Sequence, residues 1–155
     1  MALRRRPALL LALALLFPAC GEDVTGPTGR RAALALTVDP NPVKGSQSPL
    51  TGVVSVGYKV VITETNGGSG EVLFVSSQIY DPENGQQVAL TYFDSSDLVV
   101  FVGSKKIEPL GTLTVPQTAS YILPDFRTVA QMTVNVQIQD DQGTLLNQSL
   151  LVKIE

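Results

Sequence analysis

The chain has 155 residues, with 11 Lys and Arg against 14 Asp and Glu, one cysteine, and neither histidine nor tryptophan. Its net charge of −3 speaks against a surface that holds DNA, RNA or anionic lipid by electrostatics, because those partners need a basic face. Without histidine there is no Ser-His-Asp or Cys-His site, no His-ligated zinc and no imidazole proton shuttle, and one cysteine makes no internal disulfide.

At the N-terminus, Arg4, Arg5 and Arg6 precede ten apolar residues, Ala8 to Phe17, and Pro18 ends the run. A basic cluster followed by a short apolar stretch is the pattern of an export signal, and this stretch is half the roughly 20 residues that a spanning helix needs. Phe17-Pro18-Ala19-Cys20 then resembles the lipobox of bacterial lipoprotein precursors. Ala19 fits the small residue before the cut and Cys20 the thiol, whereas Phe17 replaces the favoured leucine and Pro18 is not a usual second residue. The resemblance implies that residues 1–19 are removed and that Cys20 is the lipid-attachment residue, carrying a diacylglyceryl thioether and an acylated amino group. Two or more acyl chains hold a protein on a membrane where one does not. Gly21 in place of aspartate implies, under enteric-type sorting, the outer membrane. The arginines also suit twin-arginine export, but Pro7-Ala8-Leu9 lacks that motif's flanking pattern, so general secretion is expected.

Processing leaves 8 basic against 14 acidic side chains, so the mature domain is acidic. Residues 20–31 hold the lipidated Cys20 and a stretch rich in glycine and small polar residues, which reads as a flexible tether. Gly21 to Arg31 reach at most about 40 Å when fully extended, which keeps the folded domain, residues 32–155, near the membrane.

Beyond the tether, period-two alternation dominates, in short β-branched and aromatic runs separated by Gly, Pro, Asn and Asp. A first strand covers Ala33 to Val38, and Asp39-Pro40-Asn41-Pro42 closes it, placing it near a sheet edge because proline cannot donate ladder hydrogen bonds. The next run sets Val56, Tyr58, Val60 and Ile62 on one face and Lys59 and Thr63 on the other, before the turn Asn66-Gly67-Gly68-Ser69-Gly70. Val72 to Tyr80 alternates less cleanly and turns at Asp81–Gly85 into Gln87 to Phe93. Asp94-Ser95-Ser96-Asp97 resembles a helix start, but Leu98 to Val102 is β-rich, and a turn into a short strand ending at Gly103 is expected, with one helical turn as the alternative. A further short strand covers Thr112 to Val115, and Pro116 to Arg127 reads as irregular. In the last hairpin Met132, Val134, Val136 and Ile138 oppose Leu146, Leu150, Val152 and Ile154, around the turn Asp140-Asp141-Gln142-Gly143. Thr133, Asn135, Gln137, Asn147, Ser149 and Lys153 face the other way, which gives the sheet one wet face.

Seven or eight such strands fit a single all-β, antiparallel sandwich. The Tyr-centred strand, the "TETNGGSG" turn, the "PLGT" strand entry and the closing hairpin resemble the immunoglobulin-like and fibronectin-III-like domains of bacterial envelope proteins, over residues 33 to 155. A Cys-Trp-Cys core is excluded, since tryptophan is absent and Cys20 precedes the domain.

No serine or carboxylate pair stands in a motif such as G-x-S-x-G or S-x-x-K, so the chain reads as a non-enzyme without catalytic residues or cofactor. Asp81 with Glu83 and Asn84, Asp94 with Asp97, and Asp140 with Asp141 offer oxygen ligands, but none matches a calcium loop and no metal site is assigned. Lys105-Lys106 reads as a solvated turn, and the sequon Asn147-Gln148-Ser149 lies in a strand and is set aside. The expected function is that of a membrane-anchored envelope lipoprotein whose domain binds protein or glycan or is structural. The alternative is a small inhibitor or chaperone-like envelope protein: "FVSSQIYDPENGQQV", Phe74 to Val88, is similar to the Ig-like bacterial proteinase inhibitors of the BsuPI type.

Overall fold

In the computed structural model, which describes residues 29–155, the alternating runs become nine strands and one α-helix, with a single 3-10 turn at Pro124–Phe126. In chain order these are β1 (Leu34–Asp39), β2 (Gly45–Gln47), β3 (Val54–Glu64), β4 (Gly70–Tyr80), β5 (Gln87–Asp94), α1 (Ser95–Val102), β6 (Lys106–Ile107), β7 (Thr112–Tyr121), β8 (Ala130–Asp140) and β9 (Leu145–Ile154). The export signal, Cys20 and the tether up to residue 28 lie outside the described residues.

Two antiparallel sheets result. In one, β3 pairs with β7 along nearly its whole length, so β1 and β2 must share its other side. They form one edge strand, interrupted at Asp39–Pro40 and Asn41–Pro42. The other sheet runs β5-β4-β8-β9, with β6 extending it beside the start of β4. The chain changes sheet between β3 and β4, between β5 and β7, and between β7 and β8, which is the crossing pattern of an immunoglobulin-like sandwich. The core lies between the sheets, where Val56, Tyr58, Val60 and Ile62 of β3 face Val75, Ile79, Val134 and Ile138 of the other layer, all buried.

Two local expectations need correction. Leu98–Val102 is helical: the Asp94 carboxylate accepts from the Ser96 and Asp97 N–H groups, Asp97 returns a bond to the Asp94 N–H, and Gly103 caps the end at φ 85°. Caps at both ends outweigh the β-propensity of a valine-rich run, which is a weak preference. Coiling also sets Leu98 and Val102, four apart, on one face toward the core. The segment from Pro116 onward is not irregular at first, since β7 continues to Tyr121 with Pro116 opposite Lys59. An edge strand tolerates proline where its missing N–H faces outward. The nine strands are close to the seven or eight expected, the surplus being the short β2 and β6.

The imperfect alternation in Val72 to Tyr80 also finds its cause. Leu73 is an extra residue at a bulge, where Val72 pairs with Ile138 and Phe74 with Gln137. Such an insertion shifts the faces by one position.

Candidate functional site

The strand registers of β5-β4-β8-β9 place side chains of the outer face in rows across the sheet. Phe74, Gln137 and Asn147 form one row, and Tyr92, Ser76, Asn135 and Ser149 the next. Leu90, Gln78, Thr133 and Leu151 form a third. Asp94 of β5 ends the first row beside Phe74 as the α1 cap, and the other members of the three rows are uncharged, although the domain is acidic. With strands about 4.8 Å apart and alternate residues about 6.8 Å apart, the patch measures roughly 14 by 14 Å. Its floor is a shallow depression of about 440 Å³, where Ser76 is only 6 % exposed.

Aromatic rings wall one side. The Phe74 and Tyr92 rings stack at 5.7 Å between centroids and 25° between planes, so each restricts the other's rotamers. Amides line the opposite side, held by cross-strand bonds: Gln137 Nε2 donates to Asn147 Oδ1 at 2.8 Å, and Ser149 Oγ to Asn135 Oδ1 at 2.7 Å. A side-chain amide has two N–H donors and an acceptor with two lone pairs, so the Asn135 and Asn147 NH₂ groups keep donors for a ligand. The arrangement can stack a ring face and hydrogen-bond hydroxyl or amide groups, and its one charged member, Asp94, is engaged by the α1 N–H groups.

The carboxylates proposed as oxygen donors are engaged within the protein. Asp81, 1 % exposed, receives both arms of Arg127, at 3.0 and 2.9 Å, and the Glu83 N–H at 3.0 Å. The Arg127 hydrogen bonds hold the Asp81 carboxyl below the usual carboxylate range. Arg127 also reaches Glu83 at 3.0 Å, bolting the β4–β5 turn to the β7–β8 connection; this turn belongs to the inhibitor-like segment Phe74–Val88. Asp94 and Asp97 cap α1. Asp140 Oδ1 accepts from the Gln142 and Thr144 N–H groups at 3.0 and 2.7 Å while its buried Oδ2 has no hydrogen-bond partner among the described residues, and Asp141 pairs with the Ser69 hydroxyl. Among the described residues, no three His, Cys, Asp or Glu side chains come close enough to share a metal ion. Lys105 is paired with Glu71 at 2.7 Å, while Lys106 is exposed. Asn147, the sequon residue, lies on the amide face. Cys20, the lipid-attachment residue, lies outside the described residues.

One buried carboxylate escaped sequence reading. Glu64, 1 % exposed, ends β3 and accepts four backbone N–H bonds, from Ala33 at 3.0 Å, Asn66 at 2.8 Å, Gly67 at 2.7 Å and Leu110 at 2.9 Å. Burial alone would raise its pKa; the four donors overcome that and bring it to about 2. Glu64 thereby fixes the end of the sandwich where the chain enters. Arg31 O accepts from the Asn66 side chain at 2.9 Å, and the backbone of residues 30–32 lies so close to Gly68 that a Cβ there would sit 2.5 Å from Ala32 N and Arg30 O.

The alternation already turned Asn135, Gln137, Asn147 and Ser149 outward. What sequence reading missed is that the β4 bulge brings Phe74 onto their face and beside Tyr92, since only the pairing register aligns them.

Fold and face together define an immunoglobulin-like sandwich whose outer sheet carries an amide-lined patch walled by stacked aromatic rings. The chain matches no protein-family model and no curated protein sequence. Similar solved structures include the Bordetella pertussis protein described as ApaA, 14% identical with a TM-score of 0.58, covering 80% of this chain and 95% of that one. Another is the structural-genomics target SoR45, 11% identical with a TM-score of 0.54, covering 80% of this chain and 87% of that one. At these identities the likeness is one of fold.

Proposed function

We propose that the protein is an envelope lipoprotein, anchored through Cys20 in an outer membrane, whose sandwich is a non-catalytic module that binds a neutral glycan. The carrying observation is the outer face of β5-β4-β8-β9, where stacked Phe74 and Tyr92 stand beside the oriented amides of Asn135 and Asn147, and the one carboxylate on these rows, Asp94, is held in the α1 cap. Sugars present apolar ring faces and rings of hydroxyls, and this surface offers a partner for each. An acidic domain repels anionic polymers at long range, which favours an uncharged ligand.

Two experiments test the parts separately. In cells given labelled fatty acid, Cys20→Ala abolishes incorporation and releases the domain from the membrane fraction; unlabelled wild type with unchanged membrane association refutes the anchor. On an array of neutral and anionic hexose and N-acetylhexosamine oligosaccharides, the protein binds neutral members, and added salt leaves binding unchanged. Tyr92→Ala and Asn147→Ala each weaken binding about tenfold or more, in the range of hot-spot contacts. Binding confined to anionic sugars, or indifferent to Tyr92→Ala, refutes the glycan reading. Capture of a proteinase or another envelope protein through the same residues would replace glycan by protein as the ligand.

A further inference from the structure

α1 presents an apolar face on the side away from the core. Leu98 is fully buried, yet Val100 is 74 % and Phe101 66 % exposed, and Val99 is half-exposed. Leu98 to Val102, the second half of α1, is apolar all round, a pattern that ordinarily means burial in protein or membrane, and it is covered on one side only. Nearby, the loop before β7 holds Leu110, 68 % exposed at a φ of 57°. That left-handed backbone is unfavourable for leucine and free of penalty for glycine. An exposed leucine in such a place points to a role for its side chain.

Both features lie toward the end of the sandwich where the chain enters. Asp94, the α1 cap, is opposite Phe74; after the helix, Lys105 O accepts from the Val72 N–H at 2.7 Å, and Ile107 pairs with Gly70. The chain thus advances toward the entry end along α1, and the apolar half of the helix lies nearer that end than its acidic first turn. Leu110 is tied to Glu64 by its N–H, and Glu64 also holds Ala33, the start of the folded chain. Phe74 lies four strand residues, about 14 Å, from Gly70 at the entry end. By contrast the far end, with exposed Leu50, lies beyond the whole length of β3, about 34 Å from the entry end.

We propose that Val100, Phe101 and Leu110 form a membrane-docking surface, which seats the entry end of the domain on the lipid bilayer. The inference rests on the reading of Cys20 as the lipid-attachment residue. Residues 21–28 extend at most about 29 Å, so an anchored Cys20 keeps the entry end within that distance of the bilayer. At such tether lengths the local concentration of a second contact is millimolar, and a few apolar side chains are enough to hold the domain down.

The chain has no tryptophan, so a single introduced indole reports its own surroundings. Full-length Val100→Trp and Leu50→Trp proteins, made in a bacterial host with labelled fatty acid, are reconstituted in phosphatidylcholine vesicles with brominated acyl chains. Val100→Trp loses about half its emission, because a docked apolar side chain reaches some 5–10 Å into the headgroup and acyl boundary, and Leu50→Trp stays bright. Adding Phe101→Asp to Val100→Trp restores the emission; because Phe101 meets Phe93 edge-on, an unchanged urea unfolding midpoint of the double variant shows that the fold is kept. Label on Cys20 with equal emission from the two reporters overturns the docking surface and leaves the anchor standing. Quenching of Val100→Trp without label keeps the docking surface and removes the anchor. Lipid-independent, concentration-dependent burial of Val100→Trp means that a second copy covers the helix, which also overturns the proposal.

Discussion

Replacing Glu64 by alanine removes the acceptor for four backbone donors at 2.7–3.0 Å, from the entry segment, the β3–β4 turn and the loop before β7. A hydrogen bond to a charged group contributes about 1.5–3 kcal/mol, and a buried donor left unpaired costs about 1–3 kcal/mol. These donors are only partly buried, so water replaces some of the lost bonds, and a net loss of about 3–5 kcal/mol is expected. Urea unfolding reads it directly: with a slope of about 1–3 kcal/mol/M, the midpoint falls by roughly 2 M at unchanged slope. Glu64→Gln separates charge from shape. Its amide still accepts at one oxygen but presents N–H groups to two of the donors, so it loses roughly half as much.

The acid dependence gives a second readout with a definite sign. The Glu64 carboxyl has a pKa of about 2 in the folded chain against an ordinary 4.5, so the folded state favours the ionised form. Its contribution is complete above pH 4.5 and is lost as pH falls through the interval from 4.5 to 2. Wild type therefore loses more stability across that interval than Glu64→Gln, and the two profiles converge toward its lower end. Parallel profiles, together with an alanine variant unfolding within about 0.3 M urea of wild type, would refute the assignment of Glu64 as the carboxylate that fixes the entry end.

Two further expectations test neighbouring packing. Gly68→Ala places a Cβ 2.5 Å from the backbone at Arg30 and Ala32, which must shift; the expected cost is about 1–3 kcal/mol by urea unfolding, with faster amide exchange at residues 30–33 and little change in β8. Tyr121 closes β7 onto the start of β8 by donating to the Thr128 carbonyl, and burial raises its pKa to about 12. Its neutral form is favoured in the folded state, so its contribution is complete below pH 10 and is lost as pH rises from 10 to 12. Ultraviolet titration should show a tyrosine step near pH 12 that Tyr121→Phe removes, at a stability cost of about 1 kcal/mol.

Where sequence and structure agree, one physical signal dominated. Strand faces follow from alternation alone, so Val56 to Ile62 and Met132 to Ile138 point inward as the period-two pattern requires. The valine-rich run after Asp94 went the other way because its caps are specific hydrogen bonds, whereas β-propensity mostly measures what a strand packs against. Pro116 ends a strand only where the neighbour needs its N–H, and that depends on edge position, which a single sequence does not state. Glu64 was hidden for a similar reason. Its four donors come from residues 33, 66, 67 and 110, and nothing in "ITETNGG" marks the carboxylate as buried rather than solvated. The amide face was half-legible: its polar members alternate visibly, but its aromatic wall depends on a one-residue bulge at Leu73.

These features bear on one another through the direction of the strands. If α1 and Leu110 seat the entry end on lipid, the long strands rise away from the membrane, because β3, β4 and β8 all run between that end and the far one. The face bearing Phe74, Tyr92, Asn135 and Asn147 then opens sideways, parallel to the bilayer normal, its rows lying about 14 to 27 Å along β4 from Gly70 at the entry end. A neutral polymer lying along the membrane could cross it without an end group. A face at the far tip would instead favour chain termini. Internal binding is thus expected, and long neutral glycans should bind at least as tightly as their terminal disaccharides.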